Sequence, residues 1–205
     1  TFSSRGLGDV YKRQAQMRAG EPASEETFQR AAELATQLRV PAWLAEAALG
    51  FGRNSDWLWH DRAARLRVTL LQDALKAIDT HDSPLRATLL SRLAIAYYWT
   101  TREERTTLAE HAVDMARRLH DDATLAHALY SKHRVLSELE HVEQRLEIAG
   151  EILRLATAAE DREMALIGRG WQISDSLELG DTVTAVPEIE AYGRLATEFR
   201  HAVYI

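Results

Sequence analysis

Residues 112–119 read Ala-Val-Asp-Met-Ala-Arg-Arg-Leu, and their Met-Ala pair has counterparts along the chain at a nearly constant interval of about 40 residues. Each counterpart joins an alanine to a long apolar residue, and the five pairs are Leu34-Ala35, Ala74-Leu75, Met115-Ala116, Leu155-Ala156 and Leu195-Ala196. Self-similarity at a fixed period of roughly 20–50 residues is typical of repeat proteins, in which each repeat buries its apolar face only against its neighbours. The period therefore predicts a repeat architecture.

The residues around each pair extend this pattern. Four residues before the second member of the pair the chain has Ala31, Leu71, Ala112, Ile152 and Tyr192. Three residues after it stand Leu38, Ile78, Leu119, Ala159 and Phe199. Helical spacing places these positions on one face, with small residues where two helices approach closely. We therefore expect one buried face in the first helix of every repeat.

Signals for helix starts and stops recur from one repeat to the next. Proline fits the first turn of a helix and aspartate fits its cap, because the first amides have no partner within the helix. The signals are Pro41, Pro84, Asp122 and Asp161, a capping box at Thr101 and Glu104, and a stop with a new cap at Gly180-Asp181. The predicted helices cover residues 24–39, 41–51, 61–79, 84–99, 102–119, 122–136, 141–158, 161–178 and 182–202. Pro187 predicts a kink in the last helix, or a helix that begins at Pro187.

The fold class that follows is all-α: an α-solenoid of antiparallel helix pairs, TPR-like, with a period of about 40 residues and roughly four and a half repeats. The repeat domain is predicted over residues 24–205, after a linker at residues 15–23. A period of this length lies between the usual tetratricopeptide unit and HEAT or armadillo repeats, so the period alone does not choose among them. We expect the domain to be truncated at both ends.

Residues 4–14, Ser-Arg-Gly-Leu-Gly-Asp-Val-Tyr-Lys-Arg-Gln, match the translation of a transposon-type sequencing adapter. The alternative is a natural basic arm. We interpret residues 1–14 as adapter-derived and exclude them from the fold. The net charge of the whole chain is −6, and the remaining residues carry 22 basic and 30 acidic side chains.

Composition excludes several classes of function. The 205 residues include no cysteine, which rules out a disulfide scaffold, a thiol nucleophile and every cysteine-based zinc site. The acidic balance argues against a general binder of phosphate backbones, so no direct contact with nucleic acid is expected. No apolar run approaches the roughly 18 residues of a membrane span, and no signal peptide is visible. We expect a cytoplasmic protein that does not contact membranes.

Five segments carry a resemblance to a known family. They are residues 32–38, 82–94, 112–119, 177–181 and 190–196, which share an Ala-, Leu- and Arg-rich repeat texture. Together they resemble the tetratricopeptide-like region of large bacterial, especially actinobacterial, ATP-binding transcriptional regulators of the LuxR and SARP types, similar to the maltose regulator. The resemblance implies a P-loop ATPase before the repeats and a DNA-binding or cyclase module elsewhere in the parent protein. No Gly-x-x-x-x-Gly-Lys-Ser/Thr occurs in this chain, so neither ATPase activity nor a cofactor is assigned to it.

Metal and catalytic motifs are weak. The histidine pairs 111/120 and 127/133 do not have the i, i+4 spacing of helical zinc ligands. The cluster Glu138, Glu140, His141, Glu143 and Glu147 could hold a hard cation, but an acidic helix start that favours the helix dipole explains it better. Gly50-Phe51-Gly52 predicts the end of a helix, and Gly168 predicts a close helix contact. The prediction is no metal and no catalytic residue.

Aromatic residues supply the candidate recognition surface. Tyr98, Tyr130 and Arg134 are predicted to contact a ligand in a groove, since Tyr and Arg are common anchors at interfaces. Trp57 and Trp59 stand in the longest connection, and core packing explains most of the other aromatics.

Three hypotheses for function follow. The first is a non-enzymatic interaction scaffold, the sensor or oligomerisation region of a larger ATP-binding regulator. The second is a free-standing adaptor that holds a peptide or partner helix in its groove, and the third, a helical-repeat enzyme, has no supporting motif. Expected partners are a protein, a peptide or a small effector, together with self-association of the array.

Overall fold

A computed structural model describes residues 23–52, 62–97, 101–136 and 139–199. Within these ranges the chain forms α-helices and one 3-10 turn, with no strand, which confirms the all-α prediction. The helices are α1 (Ala23–Leu38), α2 (Pro41–Gly50), α3 (Arg62–Ala77), α4 (Pro84–Ala96), α5 (Arg102–Leu119), α6 (Asp122–Val135), α7 (Val142–Ala158), α8 (Arg162–Glu178) and α9 (Thr182–Phe199), and the 3-10 turn is Leu139–His141. The predicted bounds agree to within two residues, except that α4 ends three residues early and residues 200–202 lie outside the described part.

The chain divides into two compact units. Among the described residues, 23–52, 62–81 and 96–97 belong to the first unit, which contains α1, α2 and α3. Residues 82–95, 101–136 and 139–199 belong to the second unit, which contains nearly all of α4 and the helices from α5 to α9. In the first unit α1 packs on α2 and α2 packs on α3. In the second unit each helix from α5 to α8 packs on the next helix along the chain.

Four tight turns join consecutive helices in the same way. A left-handed residue stands one or two residues after the helix: Arg39, His120, Glu160 and Gly180 have φ values of 54°, 52°, 55° and 76°. The following residue then donates its amide to a carbonyl five residues back; the pairs are Val40 to Ala35, Asp121 to Ala116, Asp161 to Ala156 and Asp181 to Ser176. This Schellman-type turn satisfies carbonyls that a helix end leaves open, and it lets the next helix begin after two or three residues.

The alanine of every repeated pair is buried, as the pattern predicts. Ala35, Ala74, Ala116, Ala156 and Ala196 are at most 3% exposed. Three of them (Ala35, Ala116 and Ala156) also supply the carbonyl that accepts the turn hydrogen bond, so the repeated residue lies in the last turn of a helix, at the contact with its partner.

The prediction that the positions around each repeated pair are also buried is wrong in part. Leu38 and Ala159 are exposed, because each lies at or just beyond the last residue of its helix, where the chain turns away. Leu34 and Ala31 are also exposed, whereas the neighbouring Ala32 is buried. Among the described residues of the first unit, α1 packs on α2, which covers one side of α1.

The core of the second unit runs through α5, α6, α7 and α8. Its buried members are Ala112, Val113, Ala116, Leu125, Ala126, Ala128, Leu129, Leu136, Ile148, Ile152, Leu155, Ala156, Met164 and Ala165. Gly168 lets α8 approach α7 closely, since a Cβ on this glycine would lie 2.9 Å from the Leu153 amide nitrogen. The predicted close helix contact at Gly168 is therefore confirmed. Gly50 ends α2, also as predicted, and a Cβ there would overlap the Phe28 ring.

The predicted caps are observed with one shift of position. Thr101 and Glu104 form the capping box, and Asp161 accepts a hydrogen bond from the Met164 amide. Asp121, not Asp122, caps α6, because its carboxylate accepts from the Thr124 amide at 3.0 Å. At Gly180-Asp181 the stop and the new cap are both present, since Asp181 accepts from the Thr184 amide at 3.0 Å.

Helix α9 contains Pro187 in its interior, so the prediction of a helix that begins at Pro187 is wrong. A proline has no amide to donate to the carbonyl four residues earlier, here that of Val183. Val183 is 84% exposed, so water can reach the carbonyl that lacks this partner. No described helix combines the length and the apolar character that crossing a membrane requires.

We expect Ala156→Phe to destabilise the protein by about 1–3 kcal/mol, because the added ring overpacks a buried helix contact. Ala158→Phe is the matched control, since Ala158 is exposed in the same helix. Thermal and urea unfolding measure both variants. Equal midpoints for the two would contradict the assigned helix contact.

The cap of α6 predicts a pH dependence. The amide of Thr124 donates to the Asp121 carboxylate and lowers the pKa of Asp121 below its ordinary value. A lowered folded-state pKa stabilises the protein above the unfolded pKa of about 4, and this stability is lost as the pH falls through the folded-state value. Asp121→Ala should therefore cost about 1 kcal/mol at pH 7 and less at pH 3.

Urea unfolding of the wild type and the variant at both pH values measures this difference. Asp121→Asn serves as the control, because asparagine caps a helix about as well as aspartate does and carries no charge. A cost of Asp121→Ala that is the same at both pH values would contradict the assigned role of the carboxylate.

Candidate functional site

A cluster of polar side chains lies inside the second unit, between α6, α7 and α8. His133 Nε2 lies 2.7 Å from Asp175 Oδ2, and these residues are 2% and 1% exposed. Arg145, also buried, places Nη2 at 3.0 Å from Asp175 Oδ1 and also pairs with Glu178. The Trp171 ring lies against the imidazole of His133 with ring centroids 4.3 Å apart. Glu178 is exposed and Trp171 is half-buried, so we call the other three residues, His133, Arg145 and Asp175, the buried polar cluster.

The opposite charges of Arg145 and Asp175 lie next to each other inside the buried polar cluster. Both oxygens of Asp175 are engaged, one by the imidazole of His133 and one by the guanidinium of Arg145. Because Nε2 of His133 faces a carboxylate, it carries the proton and donates to Asp175. Burying an unpaired charge costs several kcal/mol, so each member depends on its partners. The cluster thereby ties three consecutive helices together.

The hydrogen bond between His133 and Asp175 has the geometry in which a carboxylate orients a catalytic imidazole. A general base also needs its other nitrogen within hydrogen-bond reach of a reacting proton. Nδ1 of His133 is buried and has no hydrogen-bond partner among the described residues. Trp171 lies against the same ring. The pair connects α6 with α8.

Sequence reasoning missed the buried polar cluster, although the repeat contains a signal for it. Asp175 stands one repeat period after Val135, which is a buried apolar residue of the core. A carboxylate at a core position of the repeat requires buried partners. In the sequence, His133 pairs with His127 at a spacing that does not suit zinc ligands on a helix. In the structure, His133 belongs to the buried polar cluster.

Two of the three predicted groove residues lie together. Arg134 Nη1 donates to Tyr130 Oη at 3.1 Å, and the guanidinium carbon lies 5.9 Å from the centre of the same ring. Both side chains are half-buried. Tyr98, the third predicted residue, and the tryptophans Trp57 and Trp59 lie outside the described residues. The predicted ligand groove therefore stays a prediction.

The described residues contain no group of three or more His, Asp or Glu side chains that could hold a metal ion. At the acidic start of α7, His141 contacts Arg102, and Glu140 lies 3.9 Å from the same guanidinium. Glu138 lies outside the described residues. On the surface of the second unit, Arg118 forms a bidentate ion pair with Asp82. Its Nε lies 2.6 Å from Oδ2 and its Nη2 lies 3.2 Å from Oδ1.

Comparison with known proteins finds no protein-family model that matches the sequence and no curated protein with significant similarity to it.

We expect Asp175→Asn to destabilise the protein by about 3 kcal/mol, because it leaves the guanidinium of Arg145 buried with one carboxylate fewer. Asp114→Asn removes the same charge from an exposed site on α5 and should stay within about 0.5 kcal/mol of the wild type. Urea unfolding measures both variants.

A double-mutant cycle separates the ion pair from general packing. Arg145→Met combined with Asp175→Leu should cost less than the sum of the single substitutions, because neither charge is then left alone. Additive costs would contradict the coupling of these two residues.

Proposed function

We propose that this chain is a non-enzymatic interaction scaffold: a TPR-like α-solenoid that serves as the sensor or oligomerisation region of a larger ATP-binding transcriptional regulator. An effector, a peptide or a partner protein binds to the helical surface. Binding changes how the helix pairs dock or curve, and this change reaches modules encoded elsewhere in the parent protein.

One observation carries the proposal: the left-handed turn with its buried alanine, which recurs in step with the repeat period. It occurs at Ala35 in the first unit and at Ala116 and Ala156 in the second unit. Arrays of helix pairs with a fixed period commonly present extended surfaces to partners. The resemblance of the repeat texture to regulators of the LuxR and SARP types supports the choice of parent protein.

Surface features are consistent with a binding role. The Tyr130 and Arg134 pair combines a half-buried ring with a guanidinium that is already oriented, so little side-chain entropy is lost when a ligand binds. Exposed apolar side chains also occur on α2 at Trp43 and on α9 at Val183 and Val186.

Recovery of the flanking DNA tests the proposal. We expect one reading frame that encodes a P-loop before these repeats and a helix-turn-helix after them. A complete short gene with neither module would contradict the regulator and would favour the adaptor, in which the same surface binds a peptide or partner helix.

A further inference from the structure

The last turn of α6 carries three consecutive basic residues whose side chains contact three different partners. The ammonium of Lys132 lies 3.7 Å from a glutamate carboxylate of α5. His133 Nε2 lies 2.7 Å from Asp175 of α8. Arg134 Nη1 donates to Tyr130 Oη, within α6 itself, at 3.1 Å. This single turn is therefore linked to α5 and to α8 as well as to the turn before it.

Tyr130 lies between His133 and Arg134 around the axis of α6. Each residue of an α-helix is turned by about 100° from the one before it. Arg134 is therefore about 40° to one side of Tyr130, and His133 is about 60° to its other side, both one turn later. The phenol ring stands where the half-buried pair and the buried polar cluster come closest on this helix.

The ring of Tyr130 is anchored in the core. It is half-buried and packs against the apolar cluster to which α5, α6, α7 and α8 all contribute. The guanidinium carbon of Arg134 lies 5.9 Å from the centre of this ring, in addition to the hydrogen bond at the hydroxyl. Because the core fixes the ring, the contact with Arg134 also holds the last turn of α6 in place.

The imidazole of His133 moves only with its surroundings. It is 2% exposed, and the Trp171 ring lies against it with ring centroids 4.3 Å apart. Its partner Asp175 uses its other oxygen for Arg145 of α7, at 3.0 Å. Hydrogen bonds weaken steeply when their geometry is distorted. A shift of the last turn of α6 therefore alters the hydrogen bond to Asp175 and, through that carboxylate, the ion pair with α7.

The ion pair of Lys132 with Glu110 differs from these contacts, although it starts from the same turn. Glu110 is exposed, and Lys132 carries its charge at the end of a flexible four-carbon chain. This pair can break without a movement of the α6 backbone. It therefore provides a comparison within the same turn for a contact that is not anchored in the core.

We propose that the last turn of α6 is a conformational coupling element, which links the contact between Tyr130 and Arg134 to the buried polar cluster. Loss of that contact shifts the turn, and the shift weakens the hydrogen bond from His133 to Asp175. In the proposed scaffold, a ligand that engages the Arg134 guanidinium thereby changes how α6 docks on α8. This inference rests on the proposed function and names the regulation of its surface.

A double-mutant cycle in the full 205-residue chain tests this coupling by urea unfolding. Tyr130→Phe removes the hydroxyl that accepts from Arg134 and keeps the ring in the core, and Asp175→Asn alters the partner of His133. The unfolding equilibrium constant of the double variant should differ about fivefold from the product of the single effects, in the direction of a smaller combined loss. Glu110→Gln combined with Asp175→Asn is the matched control, and its effects should multiply.

NMR of the imidazole of His133 gives a second readout that needs no change at Asp175, so it decides the matter if Asp175→Asn does not fold. Tyr130→Phe should shift the ring nitrogen resonances of His133 and raise the exchange rate of its Nε2 proton with water about tenfold, whereas Glu110→Gln should change neither.

Three outcomes would overturn the inference. The first is a cycle of Tyr130→Phe and Asp175→Asn whose effects multiply. The second is a His133 signal that Tyr130→Phe leaves unchanged. The third is an equal response of that signal to Glu110→Gln, since any loss of a contact in this turn would then produce it. None of these outcomes depends on the flanking DNA, so the coupling and the regulator can fail separately.

Discussion

One hydrogen bond constrains much of this architecture: the residue before α2, α6, α8 and α9 donates its amide to a carbonyl in the last turn of the preceding helix. It requires a left-handed residue, which costs about 1–2 kcal/mol when that residue is not glycine. Arg39, His120 and Glu160 bear this cost, whereas Gly180 avoids it. In return the connection closes in two or three residues, so each of these helices packs on the helix before it and meets its last turn. Only a small residue fits there, which explains the buried alanine.

The buried polar cluster adds a second constraint on how α6, α7 and α8 pack against each other. Small residues such as Ala156 and Gly168 already bring these helices close together. The pairs from Asp175 to His133 and to Arg145 exist in one register only. A shift by one turn would separate these charges in a buried environment, at a cost of several kcal/mol. The cluster therefore selects the relative positions of α6, α7 and α8.

The helices could be predicted from sequence because local signals define them. Proline and aspartate mark the helix starts, and Gly180 marks a helix stop. Each of these signals involves only a few neighbouring residues, and tertiary packing did not override them. The exposure of Leu34 and Leu38 could not be predicted, because periodicity identifies an apolar face without saying whether another helix covers it. His133 and Asp175 are 42 residues apart, and only an alignment of the repeats would have shown that Asp175 replaces an apolar core residue. Tyr130 and Arg134 lie one helical turn apart, and their contact follows from that spacing.

The composition of α9 makes its first half depend on more than intrinsic propensity. Val183, Thr184, Val186 and Pro187 are poor helix formers, so propensity alone does not account for this segment. A local cap at Asp181 satisfies the Thr184 amide. Two tertiary contacts add to it, the ion pair of Glu188 with Arg169 of α8 and the burial of Ala185. Because these contacts come from α8, the first half of α9 is helical through its packing on the preceding helix, and a substitution that weakens that packing should loosen this segment before the rest of α9.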